Sequence, residues 1–382
     1  MRRMIPWFIA AALASIPVAR ACSIDYLIWG IRTKPADPLF RFVRNGKAGY
    51  IDLSGNIVIQ PILPADYNFF GEFHEGLLAV GGRQPYRYLD RSGAVAFQAD
   101  VLLALDFSEG LAPALAPDLK VPPMWGFIDR TGHFAIPPRY ASVDAFSEGL
   151  ARVSASGEVE GTGYIDGDGR VVIPLLLSYG SSFHEGRAAA IVDGPCVVTG
   201  GGSCFGAEFR PTKQPATYDC RYALIDRSGK PVSGLRFDNA KDFAEGLAPV
   251  RLGSVWGYVD RSGRIAIAPE FDSAEPFSEG LAAVVQNGKT GFVNHSGAFV
   301  IPPQFESADS FSDGRAVVSK SNGDGTWSDR YIDRTGKAAF PGRFAAATSF
   351  TYGLAHVELS ARSKTFAWIN TSGKPVFTYD AR

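Results

Sequence analysis

The feature that most constrains the fold of this chain is a pair of short phrases that recur in alternation. The first, Phe-x-Glu-Gly-Leu-Ala or a close variant, begins at Phe73, Phe107, Phe146, Phe183, Phe243, Phe277, Phe311 and Phe350. The second, Tyr-Ile-Asp-x-Ser-Gly or a variant, carries its Asp or Asn at Asp52, Asp90, Asp129, Asp166, Asp226, Asp260, Asn294, Asp333 and Asn370. The period of 34 to 39 residues, broken once, predicts a tandem repeat array.

Each repeat has the pattern of antiparallel strands joined by tight turns. Asp260 and Gly263 occupy the first and fourth positions of a predicted type I hairpin turn, in which the Asp side chain accepts backbone N–H groups. Gly280 marks a second bend, and Pro269 is expected to end the return strand, because proline cannot donate to a ladder. The repeat is therefore predicted to be a three-stranded meander, with a short fourth strand near residues 270–272 left open.

Apolar residues fall on both faces of these strands, which predicts sheets that pack between neighbouring sheets. The fold class is all-β, with about 8 to 9 stacked repeats. An open superhelical array is favoured, because the last repeat is complete and lacks nothing that the first would supply. A closed β-propeller-like arrangement is the alternative.

Length variation is confined to one connection of the repeat. The distance from the hairpin Asp or Asn to the following Phe is 17 residues, except for 21 in the first unit. The distance from that Phe to the next Asp or Asn ranges from 17 to 43 residues. We expect these variable loops to emerge on one edge and to carry binding. The candidate contact residues are Arg210, Lys213, Tyr218, Trp327 and Arg330.

The first 21 residues have the pattern of an export signal, with Arg2 and Arg3 before a short apolar stretch and small residues at Ala19 and Ala21. The predicted organisation is a signal peptide (1–21), an N-terminal segment (22–40), a first repeat block (41–190), an insertion (191–220) and a second block (221–382). The expected location is periplasmic or extracellular. No transmembrane segment is expected after removal of the signal.

The four cysteines are consistent with export. They are Cys22, Cys196, Cys204 and Cys220, and an even count in an exported chain favours disulfides, of which three pairings are open. Three of the four belong to the insertion, which is either a disulfide-tied functional loop or a tolerated insertion. Cys22 would be the first mature residue, so a lipid anchor there is a further alternative.

Several linked phrases resemble the WG repeat, also called the KWG repeat. The resemblance covers roughly residues 40 to 380, although only Trp125 and Trp256 stand before the hairpin glycine as the name requires. It implies an all-β repeat protein, often bacterial, with no agreed biochemical activity and no catalytic residues. The residues expected to build the repeat are Phe107, Glu109, Gly110, Trp125, Gly126, Asp129, Gly132, Trp256, Gly257, Asp260, Gly263, Phe277, Glu279 and Gly280.

The sequence offers little chemistry for catalysis. Without the signal, 35 basic and 39 acidic residues remain, and no basic cluster predicts nucleic-acid binding. No nucleophile elbow, phosphate-binding loop or paired metal ligands are found, so no cofactor, metal or catalytic residue is predicted. The Glu of the first phrase recurs as a ladder. It could bind calcium or a cationic polymer, but hydrogen bonding to backbone at its own turn or in a neighbouring repeat is the favoured interpretation.

These observations favour a non-catalytic scaffold that binds a protein or a polysaccharide in the bacterial envelope or outside the cell. The alternatives are a carbohydrate-active enzyme with a site on the variable-loop edge, and a purely structural envelope protein.

Overall fold

The fold is taken from a computed structural model of the 382-residue chain. It describes residues 37–64, 71–81, 85–117, 124–155, 161–192, 196–198, 209–211, 221–360, 362 and 364–381, without the side chains of 64, 196–198 and 209–211. The proposed signal peptide lies outside these residues. No helix long and apolar enough to span a membrane occurs among them.

The described chain forms nine small antiparallel sheets arranged as the blades of a nine-bladed β-propeller. Blades 1 to 4 contain β1 (Phe40–Arg44), β2 (Lys47–Ile51) and β3 (Ile57–Pro64); β4 (Leu78–Val80), β5 (Tyr86–Leu89) and β6 (Val95–Ala99); β7 (Leu103–Ala104), β8 (Ala112–Leu115), β9 (Trp125–Ile128) and β10 (Phe134–Tyr140); and β11 (Ser142–Val143), β12 (Ala151–Ser154), β13 (Thr162–Ile165) and β14 (Val171–Leu177).

Blade 5 contains β15 (Tyr179–Gly180), β16 (Ala188–Ile191) and β19 (Ala223–Ile225), with a separate hairpin of β17 (Cys196–Val198) and β18 (Phe209–Pro211) between β16 and β19. Blades 6 and 7 contain β20 (Asn239–Ala240), β21 (Leu247–Leu252), β22 (Val255–Asp260) and β23 (Ile265–Phe271); and β24 (Ser273–Ala274), β25 (Ala282–Gln286), β26 (Lys289–Val293) and β27 (Phe299–Phe305). Blades 8 and 9 contain β28 (Ser307–Ala308), β29 (Ala316–Ser321) and β30 (Trp327–Ile332); and β31 (Ala346–Ala347), β32 (Leu354–Ser360), β33 (Thr365–Asn370) and β34 (Pro375–Asp380).

A complete blade is a meander of four strands, here called A, B, C and D in chain order, and five of the nine described sheets have all four. The short A strand is the fourth strand that the sequence left open. It follows the D strand directly, as Ser273–Ala274 follows Ile265–Phe271, but it pairs with the B strand of the next blade. The all-β prediction is confirmed, and the meander has four strands rather than three.

The hydrophobic core is divided among the blade interfaces. Nine clusters of buried residues occur in the described chain, and each joins residues of two neighbouring blades. The cluster between blades 6 and 7, for example, packs Tyr258 and Phe271 against Phe277 and Val284. This confirms the prediction that both faces of each sheet are covered by neighbouring sheets.

The ring is closed by direct packing of blade 9 against blade 1. The rings of Phe40 and Trp368 lie 5.0 Å apart, and the indole Nε1 of Trp368 donates a hydrogen bond of 3.0 Å to the carbonyl oxygen of Arg41. Phe42 and Tyr379 belong to the same buried cluster. The closed alternative is therefore the observed arrangement, and the preference for an open array was wrong. Closure uses side chains rather than a sheet shared between the two ends of the described chain.

The prolines of the D strands explain the glycine of the WG phrase. Pro269 was expected to end its strand, but this prediction was wrong. Strand β23 continues to Phe271, with a break in its register opposite β22. The D strand is the last strand of its sheet, so a missing N–H can face away from the ladder. The irregularity brings the D backbone close to Gly257, where an added Cβ would lie 2.6 Å from the carbonyl oxygen of Ile267 and 2.7 Å from the nitrogen of Pro269.

A joint of fixed length connects the C strand of one blade to the A–B turn of the next. The hydroxyl of Tyr164 donates a hydrogen bond of 2.6 Å to the carbonyl oxygen of Ser181, 17 residues later, and its ring contacts that of Phe183 at 4.9 Å. Tyr50, Tyr88, Tyr258 and Tyr331 make the equivalent bonds. The recurring spacing, which is 17 residues in every unit but the first, therefore reflects a contact between blades that holds the second phrase of one repeat against the first phrase of the next.

Candidate functional site

The meander assigns the loops of every blade to two opposite faces of the propeller. Because strands A to D alternate in direction, the A–B and C–D turns lie on one face and the B–C loops on the other. We call the first the turn face and the second the loop face. The two recurring phrases form the turn face, and the connection of variable length is the B–C loop.

The Glu-Gly pair of the first phrase forms the A–B turn. In blade 4 both Glu148 (φ 55°) and Gly149 (φ 76°) have left-handed backbones, and Ser147 and Leu150 exchange hydrogen bonds of 2.9 and 3.2 Å. Two central residues with positive φ define a type I′ turn, the favoured two-residue hairpin connection. A left-handed Glu costs about 1 to 2 kcal/mol of backbone strain, so its recurrence indicates a compensating contact.

That contact is a hydrogen bond to the next blade. In each case a carboxylate oxygen accepts the backbone N–H of the turn glycine in the following blade, at 2.7 to 3.1 Å. The pairs are Glu75 with Gly110, Glu109 with Gly149, Glu148 with Gly186, Glu185 with Gly246, Glu245 with Gly280, Glu279 with Gly314, and Asp313 with Gly353. The acidic ladder is thus a chain of links between blades, as the favoured interpretation predicted.

The one non-acidic residue in this register fits the same scheme. Tyr352 takes the turn position of blade 9 (φ 56°), where the next blade is blade 1. The described part of blade 1 begins at its B strand, so it presents no A–B turn to accept such a link. Tyr352 instead packs against the cluster of Phe40, Phe42 and Tyr379 that closes the ring.

Basic side chains from the C–D turns approach the same carboxylates. Arg130 lies 2.8 Å from Glu75, and Arg261 lies 2.8 Å from Glu185. His295 lies 3.3 Å from Glu245, whereas Arg334 lies 4.0 Å from Glu279. These exposed pairs add little stability individually, but they place a cation beside several links.

The C–D turns are built as the sequence predicted. The amide of Gly263 donates to the carbonyl of Asp260 at 2.9 Å, and Gly263 has a φ of 76°. The Asp260 carboxylate accepts the N–H of Ser262 and of Arg264 and the hydroxyl of Ser262. Hydrogen bonding by the Ser262 side chain, helped by the backbone donors, lowers the pKa of Asp260. The repeated Asp residues therefore have structural partners in their own turns.

Ionic side chains, most of them buried, lie next to the A–B turns and were not identified from the sequence. Arg152 and Asp144 form a bidentate pair at 2.6 Å within blade 4. Lys241 of blade 6 binds Glu275 of blade 7 at 2.7 Å. Burial raises the pKa of Asp242, and the approach of His184 from blade 5 opposes that rise. Asp144, Lys241 and Glu275 each stand two residues before a recurring Phe, but the residue type at this position changes from blade to blade and gives no recurring phrase. Among the described residues, no group of His, Cys, Asp and Glu is arranged to hold a metal ion.

The loop face carries the length variation. Two-residue connections occur at Asn45-Gly46 in blade 1 and Asn287-Gly288 in blade 7, whereas five residues, 322–326, connect the strands of blade 8. The connection of blade 5 contains the insertion, and its described part is the β17–β18 hairpin. The prediction that variable loops share one side of the molecule is therefore confirmed.

The predicted contact residues are only partly described. Trp327 begins β30 and is 51% exposed, and Arg330 lies partly buried in the same strand. Arg210 lies in β18, and Lys213 and Tyr218 fall outside the described residues. Cys196 lies in β17, while Cys22, Cys204 and Cys220 fall outside, so the disulfides and the lipid anchor stay predictions.

A pocket of about 480 Å³ lies at the β29–β30 hairpin, whose second strand also carries the predicted Trp327 and Arg330. It is lined by Lys320, Ser321, Asn322, Gly323, Ser328 and Arg343. These residues come from the β29–β30 hairpin and from the segment that follows the C–D turn of blade 8. The sequence analysis missed Lys320 and Arg343, because neither belongs to a recurring phrase.

The geometry defines a closed nine-bladed propeller in which the recurring residues hold blades together, a fold that fits a non-catalytic interaction role. A family model described as "WG containing repeat" matches residues 49–80, 125–157, 163–194, 222–255, 256–289, 291–323 and 330–360. These segments cover more than half of the chain, which therefore belongs to this family. A typical matched segment starts at a C strand and ends after the B strand of the next blade, so the sequence repeat spans two blades.

Comparison with curated proteins finds no match. Among solved structures, "Crystal structure of the eukaryotic initiation factor" is similar at 13% identity and a TM-score of 0.60, covering 91% of this chain and 96% of that chain. "The crystal structure of BamB from Moraxella catarrhalis" is similar at 11% identity and a TM-score of 0.39, covering 79% and 93%. The first likeness concerns the fold alone, and the second is too weak to support an argument.

Proposed function

We propose that this chain is a non-catalytic binding scaffold that engages its partner through the loop face. The main support is that the recurring structural residues lie on the turn face and the variable connections lie on the loop face. On the turn face, the recurring carboxylates accept backbone N–H groups, either in their own turn or in the next blade. On the loop face, the connections differ from blade to blade in length and composition, as expected of recognition loops on a rigid framework.

The engagement of the turn-face carboxylates also supports binding over catalysis. Glycoside hydrolysis would need two carboxyl groups that converge on a substrate and are free to exchange protons. Glu148 accepts the N–H groups of both Glu185 and Gly186, and Asp260 is held by three donors. No observation among the described residues favours a catalytic pair over these structural roles.

We further propose that the scaffold is exported and acts in the bacterial envelope or outside the cell. The support is the signal-like pattern of residues 1–21 and the even number of cysteines. Mass spectrometry of the mature N-terminus tests both export and lipidation. A chain that keeps Arg2 and Arg3 in cells would contradict export, and an unmodified Cys22 would exclude the anchor.

The loop-face proposal is tested by shortening loops one at a time. Replacing 322–326 with Asn-Gly copies the connection that blade 7 already uses and should leave the fold intact. Deleting residues 195–219 removes most of the insertion of blade 5. Each variant is compared with the full chain in a glycan array and in capture of proteins from an envelope extract. Loss of a ligand in one loop variant supports the proposal.

The matched control is the exposed turn-face residue Lys337, changed to Ala. It lies in the C–D turn of blade 8, on the face opposite the shortened loop. Binding that survives both loop changes but is abolished by Lys337→Ala would place recognition on the turn face and refute the proposal.

A further inference from the structure

The pocket on blade 8 has the size of a small-ligand site. Its volume of about 480 Å³ lies within the range of about 300 to 1,000 Å³ that is typical of ligand pockets. It is open to solvent along the β29–β30 hairpin, so a unit of a longer chain could enter it without being enclosed.

Three basic side chains share one face of this hairpin. The ladder pairs Lys320 with Ser328 and Val318 with Arg330. Opposite residues of a ladder, and residues two apart along a strand, point to the same side. Lys320, Ser328 and Arg330 therefore lie on one face. Arg343 joins them, because its Nη1 donates a hydrogen bond of 3.3 Å to Ser328 Oγ.

These basic side chains are among those that have no carboxylate partner among the described residues, whereas some other cations of the molecule are paired. Arg130, Arg152 and Arg261 each form an ion pair with an acidic residue. Within the described part of the chain, no ion pair is formed by Lys320, Arg330 or Arg343.

The neighbouring carboxylates are already engaged by the hairpin and its surroundings. Glu306 accepts the N–H of Ser321 at 2.7 Å, and Asp324 accepts the N–H of Thr326 at 2.9 Å. Asp329 lies on the opposite face of β30 and accepts the N–H of Ala347 at 2.8 Å. These three carboxylates therefore have hydrogen-bond partners in the backbone and form no ion pair with Lys320, Arg330 or Arg343.

The remaining groups suit a sugar. Ser321, Asn322 and Ser328 place hydroxyl and amide groups at the pocket. Each has one or two partners within the protein, and each keeps further lone pairs or N–H groups for a ligand. On the other face of the hairpin, Trp327 exposes half of its side chain. The apolar C–H face of a pyranose ring can pack on an exposed indole as other apolar surfaces do.

We infer that blade 8 binds an acidic polysaccharide, with a uronic acid unit in this pocket. Lys320 and Arg343 hold its carboxylate, Ser328 and Asn322 bind its hydroxyl groups, and Trp327 packs against a neighbouring sugar at the edge of the hairpin. Arginine suits this task, because its planar guanidinium matches a carboxylate. This inference rests on the proposed loop-face function and names the ligand class of one loop.

The test is calorimetric titration of the full chain with a uronic acid hexasaccharide, and with a neutral hexasaccharide of the same linkage. The wild type should bind the acidic probe at least about 10-fold more tightly, and the preference should shrink as salt rises. The double variant Lys320→Ala/Arg343→Ala should weaken binding by about 10-fold or more. Trp327→Ala should weaken the binding of both the acidic and the neutral probe.

Lys337→Ala is the matched control, because it removes one exposed cation from the turn face of the same blade. It should change affinity less than about 2-fold. Lys320→Glu keeps the hydrogen bond between Arg343 and Ser328, and it should abolish acidic binding without lowering the unfolding midpoint. This variant separates lost recognition from lost folding.

Three results would overturn the inference. They are equal affinity of the double variant and the wild type, displacement of the acidic probe by an equimolar poly-glutamate peptide, and displacement by equimolar inorganic phosphate. The proposed function fails separately, when none of the loop-shortened chains loses any captured ligand. A ligand that depends on the blade 5 insertion, together with an unaffected double variant, would refute only the acidic glycan site.

Discussion

The interblade joint makes a quantitative prediction for Tyr164→Phe. Phe keeps the ring that packs on Phe183, so the change removes only the hydroxyl and its 2.6 Å hydrogen bond to the Ser181 carbonyl. Tyr164 is fully buried, and the carbonyl would lose a buried donor. Losing such a bond and leaving its acceptor unsatisfied costs about 1 to 3 kcal/mol. We expect the free energy of unfolding to fall by that amount.

The assay is urea unfolding followed by tryptophan fluorescence, combined with amide hydrogen exchange. Because each blade mainly contacts its neighbours, exchange should accelerate first in the A and B strands of blade 5, which lie on either side of Ser181. Tyr50→Phe is the matched comparison. Its hydroxyl lies 3.1 Å from the Gly71 carbonyl in a partly buried bond, so the loss should be smaller. Equal losses for both variants, or less than about 0.3 kcal/mol for Tyr164→Phe, would refute the reasoning.

Three further predictions concern stability. Gly126→Ala should lower the free energy of unfolding in urea by about 1 to 3 kcal/mol, because the new Cβ would lie 2.4 Å from the Ile136 carbonyl oxygen. The control Gly167→Ala, whose Cβ would have nothing within 4 Å, should lower it by less than about 1 kcal/mol. Glu148→Ala should cost about 1 to 3 kcal/mol by removing the acceptor of two blade 5 amides, and a loss no larger than that of Lys337→Ala would contradict the link. Burial lowers the pKa of His356 to about 4. The neutral side chain therefore contributes at most about 3 kcal/mol to the free energy of unfolding above pH 6.5, and this contribution is lost as the pH falls toward 4. His356→Gln should flatten this pH dependence of the unfolding midpoint.

The local turns could be predicted from sequence because their determinants are adjacent. Asp260 and Gly263 contain both the acceptor and the left-handed residue of one hairpin, so the pattern specifies the turn without knowledge of the fold. The spacing of 17 residues likewise identified a rigid joint. It could not identify the contact, because the acceptor is the backbone carbonyl of Ser181, which has no residue signature.

Ring closure depends on contacts that no local pattern encodes. The bond from Trp368 to the Arg41 carbonyl joins residues 327 positions apart, and the last repeat looks complete in the sequence. A closed ring that shared one blade between its ends would have left the last repeat incomplete. The described chain closes instead by packing aromatic side chains of blade 9 against blade 1, with no sheet shared between them. The pocket of blade 8 was equally hidden, since Lys320 and Arg343 meet only through the fold.

The two faces imply different outcomes for substitutions at recurring and non-recurring residues. A turn-face change such as Glu279→Ala breaks a link to Gly314 and should weaken blades 7 and 8 together, so it would reduce binding of every ligand by lowering the folded population. A loop-face change such as Lys320→Ala touches no link between blades and should affect one ligand only. Under the proposed function, recognition can change loop by loop, because the residues that link the blades are separate from the proposed binding residues.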